Sequence, residues 1–413
     1  MSWVIAAIAL LLILIRPWRI AEAVWACSGA ILLVVLRVLS PADALGAVER
    51  GTDVYLFLIG MMVLAELGRR EGFFDWIAAE AVHLARGSRK RLFAIVYIAG
   101  TLVTIFLSND ATAVVLTPAV LAAVKKARAT PLPYMLICAL IANAASFVLP
   151  ISNPANLVVY GSKMPPLLVW LRSFGLPSLL AIAVTFLVLW FTTRKYMNEG
   201  METEVERPHL SRFGKYTAWG IGATAVVLIL ASAFDLNLGL PAFVAAIAVA
   251  TVIAFEDRNA PLGILKHISW SVLPLVAGLF VLVEAVDQAG ALELSRSFLQ
   301  RAAGASPFTG VLSSAFGVAG LSNFVNNLPV GLIAGNALRG AKAPELIRNA
   351  VLIGVDLGPN LAVSGSLATI LWLTALRREG EDVGFFQFLR FGLLVMPPAL
   401  AVSVLSLLLF SQS

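Results

Sequence analysis

Apolar residues run through this chain in long blocks, with neither the strict alternation of a strand nor the one-sided stripe of a surface helix. The blocks lie near 3–15, 20–39, 53–68, 92–107, 111–124, 132–149, 155–193 (interrupted), 217–234, 238–255, 271–287, 308–321, 328–338, 347–357, 361–376 and 386–410. Short polar joints separate them. A helix needs about 20 mostly apolar residues to cross a hydrocarbon core of about 30 Å. The segments are too long and too uniformly apolar for barrel strands. The pattern predicts an all-α polytopic membrane protein.

Several blocks are too short to span alone, and these come in pairs split by Asn, Pro, Gly or Ser. The splits are Ser108-Asn109-Asp110, Pro150-Ile151-Ser152-Asn153-Pro154, Ser322-Asn323 through Pro329, and Gly358-Pro359-Asn360. Non-helical backbone at membrane depth is tolerated only where protein or a wet cavity satisfies its polar groups. Four breaks therefore predict four half-helix junctions that converge on one site.

The pattern also repeats. Gly60, Glu66 and Gly72 recur as Gly278, Glu284 and Gly290 at an offset of 218, and Asn109-Asp110 meets Asn326-Asn327 at an offset of 217. The expected architecture has about ten spanning helices plus two re-entrant hairpins, near 109 and 326, and two broken helices, near 153 and 359. Residues 20–193 and 217–376 form two repeats, joined by a charged cytoplasmic linker, 194–216. Residues 1–19 and 377–413 add a span at each end. The first block has no basic n-region, and no small-residue cleavage site follows Arg16-Pro17-Trp18-Arg19, so it reads as a span and not a leader. If the 16–19 joint is cytoplasmic, cytoplasmic joints carry 21 of the 30 Lys+Arg, including Arg16, Arg19, Arg207 and Arg258. The other side takes nine, Lys163 among them, and its 339–348 loop, with Arg339, Lys342 and Arg348, runs against the bias. Glu66 then ends a helix on the cytoplasmic side and Glu284 ends one on the other, which is inverted topology.

Composition sharpens this picture only in places. Of 413 residues, 60% are hydrophobic and 13% charged, against roughly 25% charged in soluble domains. The net charge of +6 is carried by loop cations that fix orientation, so nucleic acid is not an expected partner. Cys27 and Cys138 sit inside apolar runs, and His83, His209 and His267 lie in separate loops, so neither a disulfide nor a metal site is expected. There is no Gly-x-x-x-x-Gly-Lys string for ATP and no cofactor motif. No His falls within a span, and Asp110 and Asp356 lack a Gly-x-Gly-Asp context, which disfavours an intramembrane protease.

The side chains at the four breaks are mostly neutral. Asn109, Thr112, Ser152, Asn153, Asn156, Asn323, Asn326, Asn327, Asn360, Ser364 and Ser366 are the candidate substrate-binding residues, with Thr369 beside them. Unwound backbone and half-helix ends add partial charges. No Lys or Arg sits at any break, so the site suits a small polar uncharged solute, or bare cations, better than an anion. Two acids stand within it, Asp110 and Asp356. An ionisable group inside a span is costly and points to function, here to proton coupling, although Asp110 also reads as a helix cap. Glu66, Glu284 and Asp287 lie nearer the interfaces and read as structural.

The run Asn109-Asp110-Ala111-Thr112-Ala113-Val114-Val115-Leu116-Thr117-Pro118 resembles the NDxxxxxxTP hairpin signature of the ArsB-type arsenite efflux permeases. So do Asn326-Asn327-Leu328-Pro329 and Asp356-Leu357-Gly358-Pro359 followed by Ser364-Gly365-Ser366-Leu367-Ala368-Thr369-Ile370-Leu371-Trp372. The resemblance covers nearly the whole chain and extends, more remotely, to the wider ion transporter superfamily. It implies export of trivalent arsenic and antimony, as neutral hydroxides, from the bacterial cytoplasm across the inner membrane. Protons would move inward in exchange, by alternating access of elevator type. The partners it implies are a metalloid substrate, protons and membrane lipid, with an ATPase partner and a homodimer left open. The superfamily's other solutes, dicarboxylates or silicic acid with sodium or proton coupling, are the alternative.

Overall fold

The structure is a computed structural model that describes residues 1–409 other than 16, 18, 19, 162, 163, 199, 203–207, 258, 259 and 342. The polar joint at 16–19, and with it Arg16 and Arg19, lies almost wholly outside the described residues, as do Lys163, Arg207, Arg258 and Lys342.

The described residues form helices and no strand. The first five are α1 (Ser2–Ile15), α2 (Glu22–Val35), α3 (Pro41–Glu49), α4 (Thr52–Arg70) and α5 (Phe73–Ala85). A first hairpin follows, with α6 (Arg89–Phe106) going up and α7 (Asn109–Ala111), a π turn (Thr112–Leu116) and α8 (Thr117–Lys126) coming back. Its feet are tied together: Arg89 donates to the Arg128 carbonyl at 3.2 Å and to Thr130 Oγ1 at 3.4 Å. A first broken helix comes next, α9 (Leu132–Ala144), a 3₁₀ turn (Pro150–Ser152) and α10 (Pro154–Tyr160), and then the long α11 (Leu167–Thr193).

The second part begins with α12 (Arg212–Ala233), α13 (Gly239–Glu256), α14 (Ala260–His267), α15 (Val272–Gln288) and α16 (Ala291–Gly304). A second hairpin, α17 (Pro307–Val325) and α18 (Asn327–Ala341), has both feet on α16. A Cβ on Gly310 would touch the Ala302 carbonyl, and one on Gly340 would touch Arg296. Then come a second broken helix, α19 (Glu345–Leu357), two 3₁₀ turns and α20 (Leu367–Arg378), and the long α21 (Phe385–Ser406). A hairpin, a broken helix and a long helix thus occur twice in the same order.

Among the described residues four helices are long and apolar enough to cross a bilayer alone, at 167–196, 212–233, 307–325 and 385–409, or up to six if two bent pairs, α3–α4 and α15–α16, each count as one. Large apolar side chains such as Trp219, Phe255 and Phe386 are exposed, as lipid-facing positions must be.

Close packing rests on glycine where the sequence repeat placed it. A Cβ on Gly60 would stand 2.6 Å from the Ala242 carbonyl oxygen, so α4 and α13 meet backbone to backbone. One on Gly278 would stand 2.8 Å from the Ala26 carbonyl carbon, which does the same for α15 and α2. Small residues at such crossings let helices gain dispersion energy where lipid supplies no hydrophobic drive.

Candidate functional site

Each break has a local chemical cause. In the first hairpin, Ser108 is extended and its hydroxyl accepts from the Ala111 N–H at 3.1 Å, which starts the returning helix. Asn109 Oδ1 accepts from the neighbouring Asp110 N–H at 2.9 Å. Pro118 brings no N–H to the next turn, and the helix widens to a π turn just before it. There Thr117 donates its hydroxyl to the Thr112 carbonyl at 2.9 Å, and Thr112 Oγ1 pairs with Thr104 at 2.8 Å. In the second hairpin the turn falls on Asn326, with φ 83° and ψ 148°, a backbone that glycine favours. Its side chain accepts from the Leu328 N–H at 3.3 Å.

The two broken helices cross and tie each other off. Asn156 donates to the carbonyls of Ser146, Pro150 and Leu149, at 3.0, 3.3 and 3.4 Å. Ser152 caps the Leu149 N–H and donates to the Ile105 carbonyl at 3.0 Å, which anchors the first break to α6. Asn323 donates to the carbonyls of Ala319 and Gly358 and accepts from the Ala362 N–H at 3.0 Å. Ser364 donates to the Asn323 carbonyl at 2.9 Å. Asn360 donates to the Leu140 carbonyl at 2.9 Å and accepts from Asn143 at 3.0 Å, while Ser366 donates to Asn143 Oδ1 at 3.2 Å. Thr369 closes the capping box of α20 with Ser366. Most of the candidate polar residues thus satisfy freed backbone, which an apolar surrounding makes obligatory.

Asn143 belongs to this network and was not among the residues singled out from the sequence. It is buried at the end of α9 inside an apolar run. It stands 217 residues before Asn360, its hydrogen-bond partner. The repeat offset that paired Asn109 with Asn326 was the signal that would have found it.

A few polar groups remain free. Asp356 is fully buried one residue before the end of α19. Its Oδ1 accepts from Asn153 at 2.9 Å, and its Oδ2 has no partner among the described residues. Asn153 uses its own oxygen to cap the Ala155 N–H at 3.0 Å, so its amide is committed to Asp356. Asp110 and Asn327, each one residue past an Asn at a hairpin turn, make no side-chain hydrogen bond among the described residues. Asp110 opens on a cleft of about 70 Å³ between α4 and the first hairpin. That cleft is walled by Met61, Glu66, Val114 and Pro154, reaches His267 and Ser269 at its mouth, and has no Lys or Arg in its lining. Pro154 follows Asn153, so the amide that holds Asp356 lies directly behind the cleft wall.

A second cleft of about 450 Å³ lies at the other end of α4, between Arg50, Asp53 and Glu284 on one side and Leu332, Asn336 and Arg339 on the other. There Asn336 of α18 donates to Asp287 of α15 at 2.7 Å. The interfacial acids are paired: Glu66 takes both guanidinium branches of Arg69, at 2.5 and 2.8 Å, and Glu284 pairs with Arg50. Among the described residues no His, Cys, Asp and Glu cluster could hold a metal, and both cysteines are free.

Comparison with known proteins places this architecture. The family model described as citrate transporter, CitMHS, matches residues 9–354. The arsenical pump membrane protein of Escherichia coli (strain K12) is 25% identical, with 98% of this chain and 97% of that protein aligned. The one from Yersinia enterocolitica is 26% identical over 85% of each. Among solved structures, the YdaH transporter of Alcanivorax borkumensis superposes with a TM-score of 0.58 at 15% identity, covering 89% of this chain and 87% of that one. MtrF of Neisseria gonorrhoeae superposes with a TM-score of 0.51 at 13% identity, covering 92% and 84%. At such identities the two structures speak for the fold alone.

Proposed function

The chain belongs to the citrate transporter (CitMHS) family of membrane proteins, and from that premise we propose that it exports trivalent arsenic and antimony as neutral hydroxides in exchange for inward-moving protons. Its likeness to arsenical pump membrane proteins, over nearly the full length of both chains, makes it an ArsB-type permease.

The observation that carries the substrate reading is the charge of the site. Two acids, Asp110 and Asp356, stand among neutral amides and hydroxyls, and no Lys or Arg lines the cleft at Asp110. A tricarboxylate such as citrate would meet like charge there, without the guanidinium forks that carboxylates normally demand. An uncharged trihydroxide offers donors and acceptors that match Asn, Ser, Thr and free backbone. Asp110 and Asn327, free at the two hairpin turns, are the proposed contacts to substrate. Asp356, sealed behind Asn153, is the proposed proton carrier.

The two clefts at opposite ends of α4 support alternating access. The hairpins and broken helices would move as one body against the pairs α4–α13 and α15–α2, with the two halves of the chain in inverted topology. The 217-residue spacing of Asn143 and Asn360, which hydrogen-bond to each other, fits a pseudo-twofold axis between halves. Movement of one proton down 100 mV releases about 2.3 kcal/mol, enough for roughly a 50-fold gradient of a neutral solute. The family description favours one other reading, a sodium- or proton-coupled carrier of small carboxylates. Expression in bacteria stripped of their own arsenite exporters separates the two. The proposal expects growth at arsenite and antimonite concentrations that stop the parent strain, with less cell-associated arsenic. No gain in resistance, together with growth on citrate, would sink it.

A further inference from the structure

The 339–348 segment puts cations on the side of the molecule where orientation calls for few, and none of them lines the cleft at Asp110. Arg339 closes α18 and Arg348 lies in the first turn of α19. Both line a pocket of about 360 Å³ that also has Tyr160 and Gly335 in its wall. The pocket is fitted to a guanidinium. A Cβ on Gly161, with φ 60°, would stand 3.2 Å from an Arg339 nitrogen, and one on Gly335 would stand 2.5 Å from the Val159 carbonyl. The φ at Gly161 favours glycine, and Gly335 lets α18 pack against the α10 backbone beside the pocket.

The two arginines are not equally engaged. Arg339 donates to the Val159 carbonyl at 3.2 Å, at the negative end of α10, and to Asn336 at 2.5 Å. Arg348 is half-buried, and its guanidinium makes no hydrogen bond or ion pair among the described residues. The nearest acid in its own helix, Glu345, accepts from Ser173 at 3.4 Å and makes no ion pair with Arg348. Tyr160, in the pocket wall, spends its hydroxyl on Asn349. A planar cation with five donors is costly to leave half-buried and unmatched, and two such forks facing one pocket match the geometry of an oxyanion.

We propose that this pocket binds a phosphate-type oxyanion between Arg339 and Arg348, at the outer feet of the second hairpin and the second broken helix. It lies apart from the acidic, cation-free cleft of Asp110, so it is a separate site from the one proposed for the metalloid. The phosphate could be inorganic or belong to an anionic phospholipid whose headgroup reaches the same level, and both present the same chemistry to the arginines.

The test uses the full chain in nanodiscs of phosphatidylcholine alone, followed by thermal unfolding. In one arm inorganic phosphate is titrated at constant ionic strength. In the other, phosphatidylglycerol replaces part of the lipid. Saturable stabilisation in the first arm identifies free phosphate, and stabilisation confined to the second identifies the lipid headgroup. In either case Arg348→Gln should weaken the effect at least about tenfold, the loss of a charge-assisted hydrogen bond, and Arg348→Lys should weaken it less. The Arg348 side chain makes no hydrogen bond among the described residues, so the Gln variant should fold and elute as the parent does. If neither arm stabilises the parent, or if Arg348→Gln responds as the parent does, the site does not exist.

Discussion

Asp110 and Asn327 sit one residue beyond each hairpin turn with their side chains free, while nearly every other polar residue of the breaks is spent on backbone. That division was invisible in the sequence, where twelve Asn, Ser and Thr positions read alike. Their type and spacing predict interrupted helices, because buried amides in an apolar run need a reason. Which amide closes which carbonyl depends on how the broken helices cross. Asn143 shows the limit: only its partner across the crossing, Asn360, gives it meaning. Two expectations belong at this scale. Asp356→Asn keeps the shape beside Asn153 but cannot take up a proton, so gradient-driven transport should vanish while substrate exchange without a gradient survives. Retained pH-driven transport in that variant would remove Asp356 from coupling. Asn326 holds a backbone that costs a non-glycine residue about 1–3 kcal/mol. Asn326→Gly should therefore match or exceed the parent in thermal stability, and Asn326→Val should fall clearly below it, as read by unfolding in detergent.

Among the elements, the breaks expected at 108–110, 150–154, 322–329 and 358–360 each contain an interruption, at Ser108, at 150–153, at Asn326 alone and at 358–360, while 109–110, 322–325 and 327–329 stay helical. The interruption expected inside 155–193 is the gap between α10 and α11. Other elements were less legible. The α3 helix bends 47° from α4, and α5 and α16 are short helices at the ends of spans whose polar residues hid them among the joints. Their positions are set by what they pack against, which no local pattern states. Gly60 and Gly278 were visible only as matched letters, and the structure gives them a cause in backbone contact. Gly60→Leu would drive a side chain into the Ala242 carbonyl and force α4 from α13, an overpacking cost of about 1–3 kcal/mol or more. Gly46, with nothing within 4 Å of its added Cβ, is the control. Gly60→Leu should lower the unfolding temperature by several degrees, and Gly46→Ala, inside α3, should leave it unchanged or raise it slightly. Equal stability of the two would mean that the α4–α13 contact is not close.

In the whole molecule two clefts lie at opposite ends of α4, one of them holding Asp110 with no Lys or Arg in its lining. Asn336, in the wall of the larger of these two clefts, hydrogen-bonds to Asp287 and so links the second hairpin to α15. In the proposed cycle the body holding the hairpins breaks that bond as it moves, so the bond acts there as a latch for one end. Asn336→Ala should therefore speed exchange relative to the parent in counterflow, where a contact of no consequence would leave the rate unchanged. The central claim is that a neutral metalloid hydroxide moves against protons. It is tested most directly by arsenite uptake into everted vesicles that carry this chain, with proton and sodium gradients imposed separately. The account predicts uptake driven by an acid interior, indifferent to sodium and lost in Asp356→Asn. Uptake that follows sodium, or none under either gradient in vesicles holding the folded protein, would contradict it.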